Sequence, residues 1–65
     1  MERNEIIEKG EKQLAYTFER LKKASKKEKS KIAQRGISEL DMLYVILDED
    51  YAGFSYWFDK FITYL

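Results

Sequence analysis

The sequence predicts an all-α fold: a helical hairpin closed by a third, shorter helix in the manner of a small three-helix bundle, with dimerisation as a means of completing its core. Three observations predict it. The 65 residues include no Pro and only three Gly, so little in the chain opposes helix. Apolar residues recur at three-, four- and seven-residue steps in three separate stretches, the period of one helix face. The composition, 45% hydrophobic and 15% aromatic at zero net charge, is that of a folding chain, because disorder needs low hydrophobicity and high net charge.

One domain spans residues 1–65, with helices expected over 4–24, 26–47 and 51–64. In the first, Ile7, Leu14, Phe18 and Leu21 form one stripe. Glu5–Lys9, Glu8–Lys12 and Glu19–Lys23 are i,i+4 pairs with the acid N-terminal, each contributing a few tenths of a kcal/mol. Gly10 costs about 1 kcal/mol relative to Ala inside a helix, so either the helix frays before it or a neighbour packs closely there. The break falls near Ser25, where Ser25-Lys26-Lys27-Glu28 has the spacing of a capping box. The second helix carries Ala33, Ile37, Leu40, Tyr44 and Leu47 through Gly36 without loss of phase. The third carries Tyr51, Phe54, Phe58, Phe61 and Leu65, with Trp57 and Tyr64 beside the stripe and Asp48 or Asp50 as its N-cap. Strands fit poorly, since the only β-leaning run, Tyr44–Leu47, is embedded in helical periodicity.

A chain of this length buries only roughly 60% of the surface its unfolded form exposes, and its core rarely supplies more than about 3–5 kcal/mol unaided. Without Cys or His, neither disulfides nor thiolate or imidazole metal sites supplement it. A homodimer or a stable complex with a partner is the expected remedy. The charged N-terminus does not read as a signal peptide. The longest apolar stretches, Leu43–Leu47 and Phe54–Phe58, fall far short of the ~20 residues of a membrane span. A cytoplasmic protein with no membrane association is the expectation.

The catalytic inventory is nearly empty. Nucleophilic catalysis wants Ser, Thr or Cys beside a base, usually His, and Ser25, Ser30, Ser38 and Ser55 read as caps or solvated positions. The expectation is a protein that is not an enzyme, with no catalytic residues, no metal site and no cofactor. Zero net charge nevertheless hides a polarity. Residues 1–19 hold five Glu against three cations, residues 20–35 eight Lys/Arg against one Glu, and residues 36–65 six acids against Lys60.

Three local patterns resemble known motifs, and each departs from its pattern. Asp48, Asp50 and Asp59, with Gly53 between them, are similar in part to a calcium-binding EF-hand loop. Ala52 offers no oxygen where a ligand belongs, and Asp59 stands where a bidentate Glu should, so the segment reads as an acidic linker. The run from Lys29 to Val45 resembles a helix-turn-helix motif, with Ala33, Gly36 and Ser38 in that order. Its Ala-to-Gly interval is one residue short, and the recognition helix it implies, Ser38–Asp50, is acidic where phosphate would lie. Ser38-Glu39-Leu40-Asp41 is similar to the S-Q-E-L-D signature of sporulation aspartyl-phosphate phosphatases but lacks one residue. No role is carried over from these families.

Two surfaces remain as candidates. Tyr51, Tyr56, Trp57 and Tyr64, with the acids Asp48, Glu49 and Asp50, suit a protein-binding site, because Trp and Tyr are enriched at interface hot spots. The first expectation is therefore a regulatory or inhibitory protein-interaction module acting through this aromatic and acidic half. Such a surface also suits imitation of nucleic-acid charge, in the manner of phage- and plasmid-borne inhibitors. The alternative is a nucleic-acid-binding protein using the basic block Arg20, Lys22, Lys23, Lys26, Lys27, Lys29, Lys31 and Arg35, whose cations would neutralise phosphates.

Overall fold

The computed structural model describes residues 2–65. It contains α1 (Arg3–Lys23), α2 (Lys26–Ile46) and α3 (Phe54–Ile62), and no strand among the described residues. Twenty-one residues at 1.5 Å per residue make α1 and α2 each ~31 Å long, and they account for the rod-like extents of 37 × 16 × 15 Å. The two lie antiparallel, and α3 runs back along α2.

The predicted stripes of the two long helices lie in the core, joined by Leu43. Leu14 and Leu21 of α1, Ala33, Leu40 and Leu47 of α2 and its end, and Phe61 of α3 are all buried, with Ile7, Phe18, Ile37 and Tyr44 partly so. Thr17 is also buried in the α1 seam. Its hydroxyl donates to Glu39 Oε1 at 2.6 Å, and the Gln13 amide donates to Glu39 Oε2 at 3.0 Å. A buried hydroxyl without a partner is costly, so this bond fixes how α1 and α2 slide past each other.

Both glycines in question are contact points. The helix does not fray at Gly10; α1 begins at Arg3, and Leu43 packs where a Gly10 side chain would stand. A Cβ on Gly36 would lie within 2.6 Å of three ring carbons of Phe61. The fully buried Phe61 ring thus rests directly on the α2 backbone.

The helix ends differ from expectation. Ser25 is the N-cap of α2, but its side chain makes no capping bond. The amides of Glu28 and Lys29 instead reach the Ser25 carbonyl at 3.0 Å, at a corner where residues 25–28 are exposed. Of the three acid-first pairs, Glu8–Lys12 closes at 3.8 Å. Glu19 pairs with Lys22 at 2.9 Å rather than with Lys23, because Lys22 leans over the Phe18 ring. That hydrogen bond and charge hold the Glu19 carboxyl below the usual range.

The largest correction concerns the start of α3. It begins at Phe54, with Gly53 as N-cap, so neither Asp48 nor Asp50 caps it. The reason lies at the end of α2. Asp48 N–H donates to the Val45 carbonyl at 3.0 Å and Glu49 N–H to that of Tyr44 at 2.8 Å, the paired bonds of a Schellman motif. The motif needs a left-handed residue, and Asp48 and Glu49 adopt φ of 58° and 59°. Arg3 completes this end: its guanidinium donates to the Leu47 and Asp50 carbonyls and pairs with the Asp50 carboxylate at 3.6 Å. The α3 stripe is shifted as well. Leu65, expected in the core, is exposed, while Trp57 and Tyr64, expected beside the stripe, pack against it.

Candidate functional site

The seven residues expected to bind a partner divide into three groups. Tyr51 does not belong at a surface: it is buried, and its hydroxyl donates to Glu11 Oε2 at 2.5 Å. Burial, then the hydrogen bond and charge of Glu11, push its phenol well above the ordinary value of 10. Asp48, Glu49 and Asp50 are exposed at the end of the rod where α1 begins. Tyr56, Trp57 and Tyr64 form an aromatic side.

Geometry ranks those three. Tyr64 meets Phe18 edge-on at 6.1 Å. Trp57 stacks on Phe61, with centroids 6.2 Å apart and planes at 25°. It also meets Tyr56 edge-on at 5.4 Å. Tyr56 is 59% exposed. Beyond Trp57 an open hollow of about 580 Å³ runs between α1 and α3, walled by Asn4, Ile7, Glu8, Glu11 and Ala15, with Lys12 at its margin. Sequence reasoning missed the α1 half of this hollow, although Glu8 and Ala15 are seven residues apart and so share a face. Lys60 lies among the rings, with its ammonium 4.9 Å from the Tyr56 centroid, 5.7 Å from Trp57 and 4.5 Å from Phe18.

The basic block wraps the α1–α2 turn, at the other end of the rod from the acidic loop. Part of it has partners within the fold. Lys29 lies over Tyr64 at 5.3 Å, Lys22 is held by Glu19 and Phe18, and Arg35 pairs with Glu39 at 3.6 Å. Arg20, Lys23, Lys26, Lys27 and Lys31 are exposed and lack an ion pair among the described residues. The helix-turn-helix likeness fails here, because α2 runs unbroken through Gly36 and leaves no turn. Asp59 sits inside α3, away from the acidic loop, and no group of three or more metal-ligating side chains gathers among the described residues.

One surface was not foreseen. On the side of the hairpin away from α3, Ile6, Gly10, Met42, Leu43 and Ile46 line an apolar hollow of about 290 Å³, with Lys9, Gln13 and Glu39 on its rim. Met42 and Ile46 are 68% and 59% exposed, and their neighbour Val45 is 71% exposed. The signal was present in the sequence: these three residues fall outside the Ala33–Leu47 stripe that α2 uses for its core.

Comparison with family models, with curated proteins and with solved structures finds no match for this chain. Among the described residues no helix is long and apolar enough to cross a membrane.

Proposed function

We propose that this protein is a non-enzymatic regulatory or inhibitory module that seats a segment of a protein partner in the hollow between α1 and α3. The observation that carries the reading is the Trp57–Tyr56 pair. Trp57 is braced on Phe61 and lines the hollow, and Tyr56 stands exposed against its edge. A braced aromatic loses little conformational freedom on binding, which is why such residues act as anchors. Glu8, Glu11 and the acidic loop Asp48–Asp50 favour a partner segment that brings cations to this side. A basic site of the kind that receives nucleic acid fits that description.

The test is capture of partners from lysate of the source organism, in nuclease-treated and untreated halves. Wild-type protein is expected to retain a discrete protein in both halves. Tyr56→Ala and Glu8→Lys, both at exposed positions, are expected to release it while circular dichroism stays helical. Retention unaffected by either substitution would remove the hollow as the site.

A second reading rests on the five exposed cations around the α1–α2 turn that have no ion pair among the described residues, which suit phosphate contacts. Retention that disappears with nuclease, and with Lys23, Lys26, Lys27 and Lys31 changed to Gln, would move the function there.

A further inference from the structure

The apolar hollow on the side of the hairpin away from α3 has no part in the reading above, because α1 serves the two hollows with different faces. Asn4, Ile7, Glu8, Glu11 and Ala15 line one; Ile6, Lys9, Gly10 and Gln13 line the other. We infer that this second face seats the same face of a second copy of the chain, in an antiparallel twofold arrangement centred on the hollow.

The face presents apolar surface where a monomer gains nothing from it. Met42, Val45 and Ile46 are each more than half exposed, and Ile6 joins them over Gly10 and Leu43. Tyr16, 62% exposed, lies two turns along α1 from Lys9, at the edge of the same face. Four of the chain's large exposed apolar side chains therefore lie on or beside one side of the hairpin. A twofold interface uses one patch on both subunits, so the patch must match itself.

Charge selects the second copy and its direction. The hollow is marked by the contact of Gly10 with Leu43. From that level the acidic loop begins five residues away toward one end. Arg35 lies eight residues, about 12 Å, toward the other end, and Arg20 ten residues, about 15 Å, at 1.5 Å per residue. A twofold axis across the rod at this level turns the partner end over end. Asp48 and Glu49 of each copy then lie within side-chain reach of Arg35 and Arg20 of the other, while Met42 and Ile46 meet their counterparts at the centre. A parallel arrangement would instead set acidic loop on acidic loop and basic turn on basic turn. The 37 Å rod, 16 Å across, offers a face smaller than the ~800 Å² per partner of a standard interface. The dimer is accordingly concentration-dependent and sensitive to salt.

Sedimentation equilibrium of the full chain across protein concentration, at low salt and at ~1 M NaCl, where screening acts over about 3 Å, reads the proposal directly. A monomer–dimer equilibrium is expected, weakened roughly tenfold or more at high salt. Met42→Glu with Ile46→Glu is expected to give monomer with unchanged helicity, since both side chains are exposed. Direction is read by charge exchange. Arg20→Glu/Arg35→Glu and Asp48→Lys/Glu49→Lys are each expected to be monomeric alone and to form a heterodimer when mixed, because every crossed contact is then restored. A monomeric wild type at all concentrations overturns the proposal, as does a dimer indifferent to Met42→Glu/Ile46→Glu. A dimer that the mixed variants fail to re-form overturns the antiparallel direction. Wild-type sedimentation and Met42→Glu/Ile46→Glu use no residue of the hollow beside Trp57, so these two arms and partner capture through Tyr56 and Glu8 fail separately.

Discussion

The two faces of the α1–α2 hairpin are built from the same helices and have opposite fates. On one, α3 lays Phe61 onto Gly36 and braces Trp57 and Tyr64 around it, so a missing side chain on α2 becomes a socket. On the other, Gly10 also lacks a side chain, but only the end of Leu43 enters the gap, and the surface above it stays open to solvent. A glycine in a helix is thus not one kind of feature. Its energetic weight depends on whether the intruding group can retreat. A ring sealed under α3 cannot, whereas a leucine terminus beside an open hollow can.

The sharpest way to break this contrast is Phe61→Ala. Deleting a fully buried ring costs about 3–5 kcal/mol, comparable to the whole stability of a domain this small. Urea denaturation followed by circular dichroism should show a largely unfolded chain or one whose α3 has come away. The matching change on the open face, Met42→Ala, should lower stability by less than ~0.5 kcal/mol when measured at a protein concentration low enough for the chain to be monomeric. Equal effects would mean that the two faces do not differ as described.

Next in size is a pair of identical substitutions. Gly36→Ala should destabilise by about 1–3 kcal/mol, because the Phe61 ring must shift even though Ala favours helix by about 1 kcal/mol. Gly10→Ala should stay within ~0.5 kcal/mol of wild type, the same helix preference offsetting a small movement of Leu43 into the hollow. Thermal melts of the two variants side by side decide it.

Tyr51→Phe probes the far end of the covered face and should cost about 1 kcal/mol near neutral pH, through loss of the bond to Glu11. Its pH dependence has a definite sign. The phenol is held above its ordinary value in the folded chain, chiefly by burial, so its contribution is complete below pH 10 and is lost as pH rises beyond that toward the folded value. Wild type and Tyr51→Phe should therefore converge in chemical-denaturation midpoint as the buffer is taken above pH 10. A gap that widens there would contradict the burial.

The smallest change sharpens the boundary between the faces. Asp48 stands where a Schellman motif favours glycine, with φ of 58°. Asp48→Gly should stabilise by roughly 0.5–1 kcal/mol by relieving a left-handed side chain, visible as a rise in Tm.

Much of this fold was legible beforehand, and the pattern of misses has a physical cause. Leu14, Leu21, Leu40 and Leu47 follow from helical period alone, since one stripe on each long helix must find the other. The start of α3 did not follow, because Asp48 and Glu49 take a backbone conformation that glycine would have announced. Tyr51 read as an anchor since its partner, Glu11, lies 40 residues away, and no local pattern reveals such a bond. Thr17 and Glu39 were invisible for the same reason. The aromatic tail and the basic block, weighed as competing sites, proved to touch, with Lys29 over Tyr64. Met42, Val45 and Ile46 are surplus apolar residues in the sequence, but helical period alone assigns no partner to a residue that lies off the core stripe.

The seating of Phe61 on Gly36 also bears on the order in which the molecule opens. α3 has nine residues, too few to hold helical form in water alone. The hairpin, by contrast, keeps its own seam through Leu14, Leu21, Leu40 and the Thr17–Glu39 bond. Release of Phe61 together with the Phe54–Tyr44 and Tyr64–Phe18 contacts therefore frees α3 as a unit while α1 and α2 remain paired, a sub-global opening below the free energy of complete unfolding. Amide protons of Phe58 to Ile62 should exchange by that route, ahead of those at the middle of α1. The same opening would dismantle the hollow beside Trp57, so the wall nearest the aromatic pair is also the least persistent part of the fold.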